Sequence, residues 1–248
     1  MTLGQAAALI GGKIDPNHAQ IAFHGVNFDT RRLQEGQLFV AMAGARDGHD
    51  FVPQALEKGA VAVLASKPLD ASIPAIYVED TAKALQDLAR EYRKLLPLRC
   101  VGVTGSVGKT TTKEMIATVL QQRFLTHKTE GNFNNNIGLP VTVLSMDSST
   151  QAAVLEMGMN HFGEISLLTS IALPDIAVIT NIGTMHIENL GSREGILQAK
   201  LEILEGLSDH GCAVFCGDEA LLYGAAQKHR AITYGFMEHN PVRALETR

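Results

Sequence analysis

Cysteine, long apolar runs and excess positive charge are all scarce in this 248-residue chain. Cysteine occurs three times, at 100, 212 and 216. That usage argues against a disulfide framework and for a reducing compartment. Cys212 and Cys216 fall in the apolar run Cys-Ala-Val-Phe-Cys, where a strand puts both on one face. With no second Cys/His pair nearby, they read as core cysteines rather than zinc ligands. No apolar run reaches the roughly 20 residues that a membrane helix needs. Met1–Gly12 lacks a basic start and a long apolar core, so it reads as a short helix closed by Gly11 and Gly12 rather than a secretion signal. The expectation is a cytoplasmic protein. The net charge of −5 supplies no global basic field to draw in nucleic acid, so any nucleotide contact must come from local features. What remains, 46% apolar and 19% charged residues, is the make-up of a globular protein. Its length suffices for one large or two small cores.

The most specific local feature is Val101-Gly-Val-Thr-Gly-Ser-Val-Gly-Lys-Thr-Thr-Thr112. An apolar strand leads into a loop of Gly105, Ser106, Val107 and Gly108, and a helical pattern follows. Such a loop lets backbone N–H groups approach an anion, with Lys109 as a point charge and the Thr110 hydroxyl available to magnesium. Thr111 continues the cradle. The common phosphate-loop pattern requires a further glycine five residues before Gly108, and Val103 stands there. The glycine spacing is therefore a shorter one, Gly105-x-x-Gly108-Lys109-Thr110. An ordinary GTPase or kinase does not fit that spacing, and no Asn-Lys-x-Asp guanine motif is present.

Two regions separate near Pro97. Residues 1–97 mix short strands with a helical stretch over 51–59 and a longer helix over 81–96, with Thr81 as N-cap, Pro97 as stop and an apolar stripe of Ala82, Leu85, Leu88, Tyr92 and Leu95. Residues 98–248 alternate. Strands are expected at 99–103, 124–127, 152–156, 175–180, 212–216 and 231–234, and helices at 110–122, 136–145, 163–171, 193–206 and 218–228. That alternation predicts an α/β fold with a mostly parallel sheet. Ligands in such folds bind beyond the carboxyl ends of the strands, where Thr104 to Thr110, Glu156 and Asn181 fall.

Glu156 ends the run Ala-Ala-Val-Leu-Glu and reads as a magnesium ligand opposite the phosphate loop. Gly131-Asn-Phe-Asn-Asn-Asn136 is dense in amide donors and acceptors; it reads as a substrate loop or as a turn with an N-cap. His186 lies in a loop after a strand, as a ligand, a positioning group or a surface residue. Lys200 sits in the apolar helix Ile196–Leu204, where a lysine ordinarily reaches back to water. Asp29-Thr-Arg-Arg32 and Gly44–Asp50 are polar clusters at strand ends, suited to a pyrophosphate or simply solvated.

Taken in order, the short-spaced loop, Asn132-Phe-Asn-Asn135, Glu156-Met-Gly-Met-Asn160 and His186…Lys200 resemble a Mur ligase. In the first region, Asp29-Thr-Arg, Gly36-x-Leu-Phe-Val-Ala and Asp47-Gly-His-Asp-Phe resemble that family's UDP-binding domain. The motifs run through essentially the whole chain. The resemblance implies a UDP-muramoyl-peptide-binding domain over 1–97 and a P-loop-type central ATPase domain over 98–248. It implies ATP and Mg2+ as cofactors. The nearest branch joins UDP-N-acetylmuramoyl-tripeptide to D-alanyl-D-alanine through an acyl phosphate. Carried over, Lys109 holds β- and γ-phosphates; Gly105 to Thr111 and Asn181 bind the nucleotide; Thr110 and Glu156 hold one magnesium. His186 helps hold a second, and Lys200 matches a lysine carbamylated by carbon dioxide. Asn134 and Asn135 contact the reacting end of the substrate, while Thr30, Arg31, Asp47 and His49 contact its UDP part.

A family member continues past Phe236 into further sheet and a third domain, whereas this chain ends at Arg248. The expectation is a truncated ligase or one piece of a split enzyme, with a complementary C-terminal fragment as partner, an incomplete central sheet and little ligation alone. Alternatives are a non-catalytic nucleotide-binding module, the neighbouring ligase that adds the third amino acid, and folylpolyglutamate synthase. The asparagine segment and the first region favour the dipeptide-adding branch.

Overall fold

The computed structural model describes residues 1–44 and 46–245. Ala45 of the 44–50 cluster and the last three residues of the chain lie outside them. The fold is α/β, in two compact units. The first comprises Met1–Leu95 and Pro140–Asp147, the second Leu96–Leu139 and Ser148–Arg248.

The first unit opens with helix α1 (Leu3–Ile10). Thr2 and Gln5 form a reciprocal capping box, and Gly11 at φ 66° closes the helix in the left-handed conformation. There follow β1 (Lys13–Ile14), β2 (Val26–Asn27), β3 (Leu38–Val40), α2 (Val52–Glu57), β4 (Ala62–Ala65), β5 (Ala75–Tyr77) and α3 (Thr81–Lys94). The strands form one sheet in the order β1-β5-β4-β3-β2, parallel except for β1 against β5. Phe39, Val63, Ala65 and Ala75 pack with Val52 and Ala55 of α2.

Helix α3 departs from its sequence reading at both ends. Its N-cap is Asp80, whose Oδ1 accepts from the N–H groups of Ala82 and Lys83 at 2.8 and 3.0 Å. Thr81 is already helical and buried, and its hydroxyl donates to the Ala41 carbonyl at 3.0 Å. The acid outcompetes the hydroxyl as a cap because its charge faces the positive end of the helix. The buried stripe is Ala84, Leu85, Leu88 and Ala89. Leu95 lies past the last helical residue and is 65% exposed. Tyr92 Oη donates to the Met146 carbonyl at 2.8 Å, which joins Pro140–Asp147 to this unit.

In the second unit, β6 (Arg99–Thr104), α4 (Lys109–Leu120), β7 (Thr126–Lys128), α5 (Gly138–Leu144), β8 (Ala152–Glu156), α6 (Glu164–Ala172), β9 (Ile176–Ile179), α7 (Ile187–Leu190), α8 (Arg193–Leu201), β10 (Cys212–Cys216), α9 (Ala220–Ala226), β11 (Ala231–Gly235) and β12 (Val242–Arg243) alternate in sequence. Helix α5 passes at Pro140 into the first unit. The seven strands form a parallel sheet, β12-β11-β10-β9-β6-β8-β7. Central strands buried on both faces read as unbroken apolar runs, and Val101, Val103, Val154, Val178 and Ala117 form such a core. The helix expected over 193–206 ends at Leu201 and continues as a 3₁₀ turn, Glu202–Gly206.

The cysteines correct another reading. Cys100 is buried, but Cys212 and Cys216 are half-buried. On β10 it is Ala213 and Phe215 that face the core, and the period of two puts both cysteines on the other face.

Candidate active site

Register fixes the site. Val103 pairs with Glu156 and Thr104 with Ile179, so β6, β8 and β9 end at one level. The loop 105–108 leaves β6 there and enters α4. Residues following β9 hold it from the side. Asn181 Oδ1 accepts from Val107 N–H at 3.0 Å, while Asn181 Nδ2 and Thr180 Oγ1 donate to the Val107 carbonyl at 3.0 and 2.7 Å. Ser106 N–H donates to the Asn181 carbonyl at 3.1 Å, and Ser106 Oγ accepts from Gly183 N–H at 2.9 Å. The side chain of Asn181 is thus engaged in shaping the loop.

Two glycines in this loop serve different needs. Gly105 sits at φ 150°, and a Cβ there would lie 1.9 Å from Thr180 Oγ1; the backbone needs that space. Gly108 at φ 78° has nothing within 4 Å of a Cβ, so its need is the left-handed turn alone. Gly108 is the N-cap of α4 and supplies no side-chain cap. The first N–H groups of a twelve-residue helix are therefore left for an external acceptor.

Around that helix end stand one buried acid and three lysines in different surroundings. Glu156, 2% exposed, accepts from Thr110 Oγ1 at 2.9 Å on Oε2 and from Asn134 Nδ2 at 2.8 Å on Oε1. Lys109 Nζ donates to the Gly105 carbonyl at 2.9 Å. Burial lowers its pKa, with the charge of Glu156 pulling the other way. Lys200 on α8 is 3% exposed, and among the described residues its Nζ has neither a hydrogen bond nor an ion pair. Burial, reinforced by the charge of Lys109, brings its pKa down to about 7. Nearly all of its side chain is withdrawn from water.

Lys113, one turn after Lys109 on α4, is 1% exposed. Its Nζ donates to the Thr129 carbonyl at 2.6 Å, pairs with Glu114 Oε1 at 3.0 Å and lies 4.0 Å from Glu156 Oε2. Sequence reasoning missed it, although positions four apart share a helix face and the spacing from Lys109 to Lys113 carries that signal.

A cleft of about 650 Å³ opens beside these groups, lined by Lys109, Asn134, Asn135, Asn160 and His186 among others. Asn134 faces Glu156. Asn135 Oδ1 accepts from the N–H groups of Ile137 and Gly138 at 3.2 and 2.8 Å, so it caps α5. His186 holds φ 64° at the start of α7, a conformation uncommon outside glycine. Helix α6 on the far wall is capped from Glu202, which accepts from Gly163 and Ser166 N–H groups at 2.8 and 3.1 Å. Among the described residues, no group of three His, Cys, Asp or Glu side chains is arranged to hold a metal ion. Thr110 Oγ1 and Glu156 Oε2 nevertheless form a pair of hard oxygen donors at the uncapped helix end. Such a pair suits magnesium, which completes its shell with phosphate and water.

The remaining candidates lie in the first unit. Thr30 Oγ1 donates to Gln54 Oε1 at 2.7 Å. Arg31 grips Asp29 through Nε and Nη2 at 2.9 and 2.7 Å. Asp47 accepts from His49 Nδ1 at 2.6 Å and also pairs with Lys67. His49 Nε2 accepts from Ser66 N–H at 3.1 Å, which assigns the proton to Nδ1.

Residues 103–247 match the Mur ligase middle domain, and 22–93 match the Mur ligase family catalytic domain. The UDP-N-acetylmuramoyl-tripeptide–D-alanyl-D-alanine ligase of Bacillus subtilis is 50% identical over 96% of this chain and 53% of its own length. A crystal structure of MurF from Acinetobacter baumannii superposes with TM-score 0.89 at 34% identity, covering 99% of this chain and 55% of that one. MurF from Thermotoga maritima in complex with ADP gives 0.78 at 36% identity, covering 87% and 51%. The chain spans about half the length of the curated relatives it matches. No helix among the described residues is long and apolar enough to cross a membrane. With the middle-domain match covering more than half of its residues, and the short-spaced loop, Glu156 and Lys200 gathered at the strand ends, this chain belongs to the Mur ligase family.

Proposed function

We propose that this chain supplies the UDP-substrate-binding and ATP-binding parts of a cytoplasmic ligase that joins UDP-N-acetylmuramoyl-tripeptide to D-alanyl-D-alanine. The observation that carries the reading is the Thr110–Glu156 oxygen pair at the head of an uncapped helix, beside Lys109 and Lys200. The half-length match to relatives of that name supports the substrate choice. In this reading residues 1–97 serve the UDP end and 98–248 the ATP end, although Pro140–Asp147 packs within the first unit; Thr30, Arg31, Asp47 and His49 face the UDP end and Asn134 the reacting end.

A carboxylate resists attack by an amine because it has no leaving group; phosphorylation by ATP makes an acyl phosphate, which the amine of D-alanyl-D-alanine then opens. Magnesium, when bound, neutralises part of the negative charge gathered at the phosphates. Thr110 and Glu156 would hold it, and His186 and Lys200 would contribute to a second site. Lys109 exchanges its bond to the Gly105 carbonyl for phosphate oxygens, and loop and helix N–H groups orient them. Lys200 fits carbamylation because a pKa of about 7 leaves much of its amine neutral near neutral pH. That neutral amine adds to carbon dioxide and releases a proton, which puts an anionic oxygen ligand near the charge of Lys109.

The test is ATP binding by the 248-residue chain with and without Mg2+, together with ADP release when both substrates are added. Binding that tightens with Mg2+ and vanishes in Lys109→Ala is expected. Equal binding by wild type and Lys109→Ala would overturn the proposal.

A further inference from the structure

Lys113 is too deeply buried to be a surface lysine, and the mechanism above gives it no task. An unpaired ammonium is strongly disfavoured in such a place, so its contacts explain its presence. Nζ bonds the Thr129 carbonyl at 2.6 Å, pairs with Glu114 Oε1 at 3.0 Å and stands 4.0 Å from Glu156 Oε2. Among the described residues no other Lys, Arg or His nitrogen lies within 4.0 Å of that carboxylate. Thr129 is itself fully buried. Its N–H donates to the Val154 carbonyl at 3.0 Å, and its hydroxyl accepts from the Glu156 N–H at 2.9 Å. Lys113 therefore touches Glu156 twice: through Thr129, which holds the backbone of the acid, and directly through charge. Both contacts approach from the α4 side that carries Ala117 into the core, whereas Thr110 meets the same carboxylate from the solvent-facing start of the helix.

We propose that Lys113 is a positioning residue that holds the Glu156 carboxylate toward Thr110, so that magnesium meets a fixed oxygen pair. This rests on the Mg2+–ATP reading above. The arrangement resembles an outer-shell partner of a metal ligand, whose loss weakens metal affinity by about 10- to 100-fold. A structural lysine that only fills space would instead be replaceable by an apolar side chain of similar length.

The deciding measurement is ATP affinity of the 248-residue chain across a Mg2+ titration and in EDTA, for wild type and Lys113→Met. The expected result is a rise of about tenfold in the Mg2+ concentration giving half the affinity gain, with the affinity in EDTA within about twofold of wild type. An unchanged or lower Mg2+ midpoint, or equal losses with and without Mg2+, would overturn the role. A lower midpoint would mean that repulsion between Lys113 and the metal outweighs positioning. If Lys113→Met does not fold, Lys113→Gln keeps a donor for Thr129 without the charge, and the same shift decides. Wild type that shows no Mg2+-dependent ATP binding overturns the nucleotide reading and this role with it. Wild-type binding with an unshifted variant overturns the role of Lys113 alone.

Discussion

Asp47 in the first unit and Glu156 in the second are both carboxylates at the centre of a candidate site, in opposite surroundings. Asp47 is partly exposed and accepts from the Lys67 ammonium, the His49 ring and the His49 N–H. Those bonds hold its pKa well below the usual carboxylate range. Asp29 is likewise lowered, by Arg31. Glu156 is buried, and its contacts are a hydroxyl, an amide, a backbone bond to Thr129 and one lysine at 4.0 Å. Nearby, Lys200 has no acid partner among the described residues. On the surface, opposite charges neutralise each other at little energetic consequence and shape their loops. In the interior, charge left incompletely paired is destabilising, and it persists where a ligand can complete it.

Substitutions can break that contrast. The largest effect is expected from Glu156→Ala. It leaves Lys113 with a weaker set of partners in the interior, so stability should fall by about 3 kcal/mol and the Mg2+ dependence of ATP binding should disappear. Denaturant unfolding and calorimetric titration measure the two. Gly105→Ala comes next: its Cβ meets Thr180 Oγ1 at 1.9 Å. Overpacking of about 2 kcal/mol should accompany loss of measurable ATP binding. Gly108→Ala, with open space around it, should lose about 1 kcal/mol of stability through backbone strain.

Lys200→Met should move stability the other way. Between about pH 7 and the ordinary lysine value, the unfolded chain binds more protons than the folded one. Wild-type stability therefore rises with pH across that window. Lys200→Met removes the rise, so it should stabilise the chain by about 1 kcal/mol or more at pH 6 and progressively less toward pH 10. Parallel pH profiles for the two proteins would refute this. The smallest effect belongs to the first unit. Asp47→Ala, which breaks an exposed pair with Lys67 and part-buried bonds to His49, should lower stability by less than about 1 kcal/mol while weakening binding of UDP-N-acetylmuramoyl-tripeptide.

The same contrast governs what could be read from the sequence. Strands 152–156 and 212–216 lie where their apolar runs place them, because a strand buried in a parallel sheet leaves a continuous local signature. The conformation of loop 105–108 was legible for a similar reason: its glycines and the lysine and threonine that follow are contiguous. Asp80 rather than Thr81 as the cap of α3 was a choice between two suitable neighbours, settled when the Thr81 hydroxyl found the Ala41 carbonyl. The faces of Cys212 and Cys216 depended on the phase of β10 against its neighbours. Lys113 was hidden because its partner Thr129 lies sixteen residues away and its other partner, Glu156, much farther still.

The sequence by itself determined the glycine, lysine and threonine spacing of loop 105–110, the alternating order of strands and helices, and the order of motifs that resembles a ligase family. These are local properties of spacing and hydropathy. Only the tertiary structure decided which charges are buried and which are paired. It withdrew most of Lys200 from water near the charge of Lys109, turned Asn181 onto the loop and set Lys113 behind Glu156. Burial and distance arise from strands brought into register across the chain, and no local window of sequence contains them.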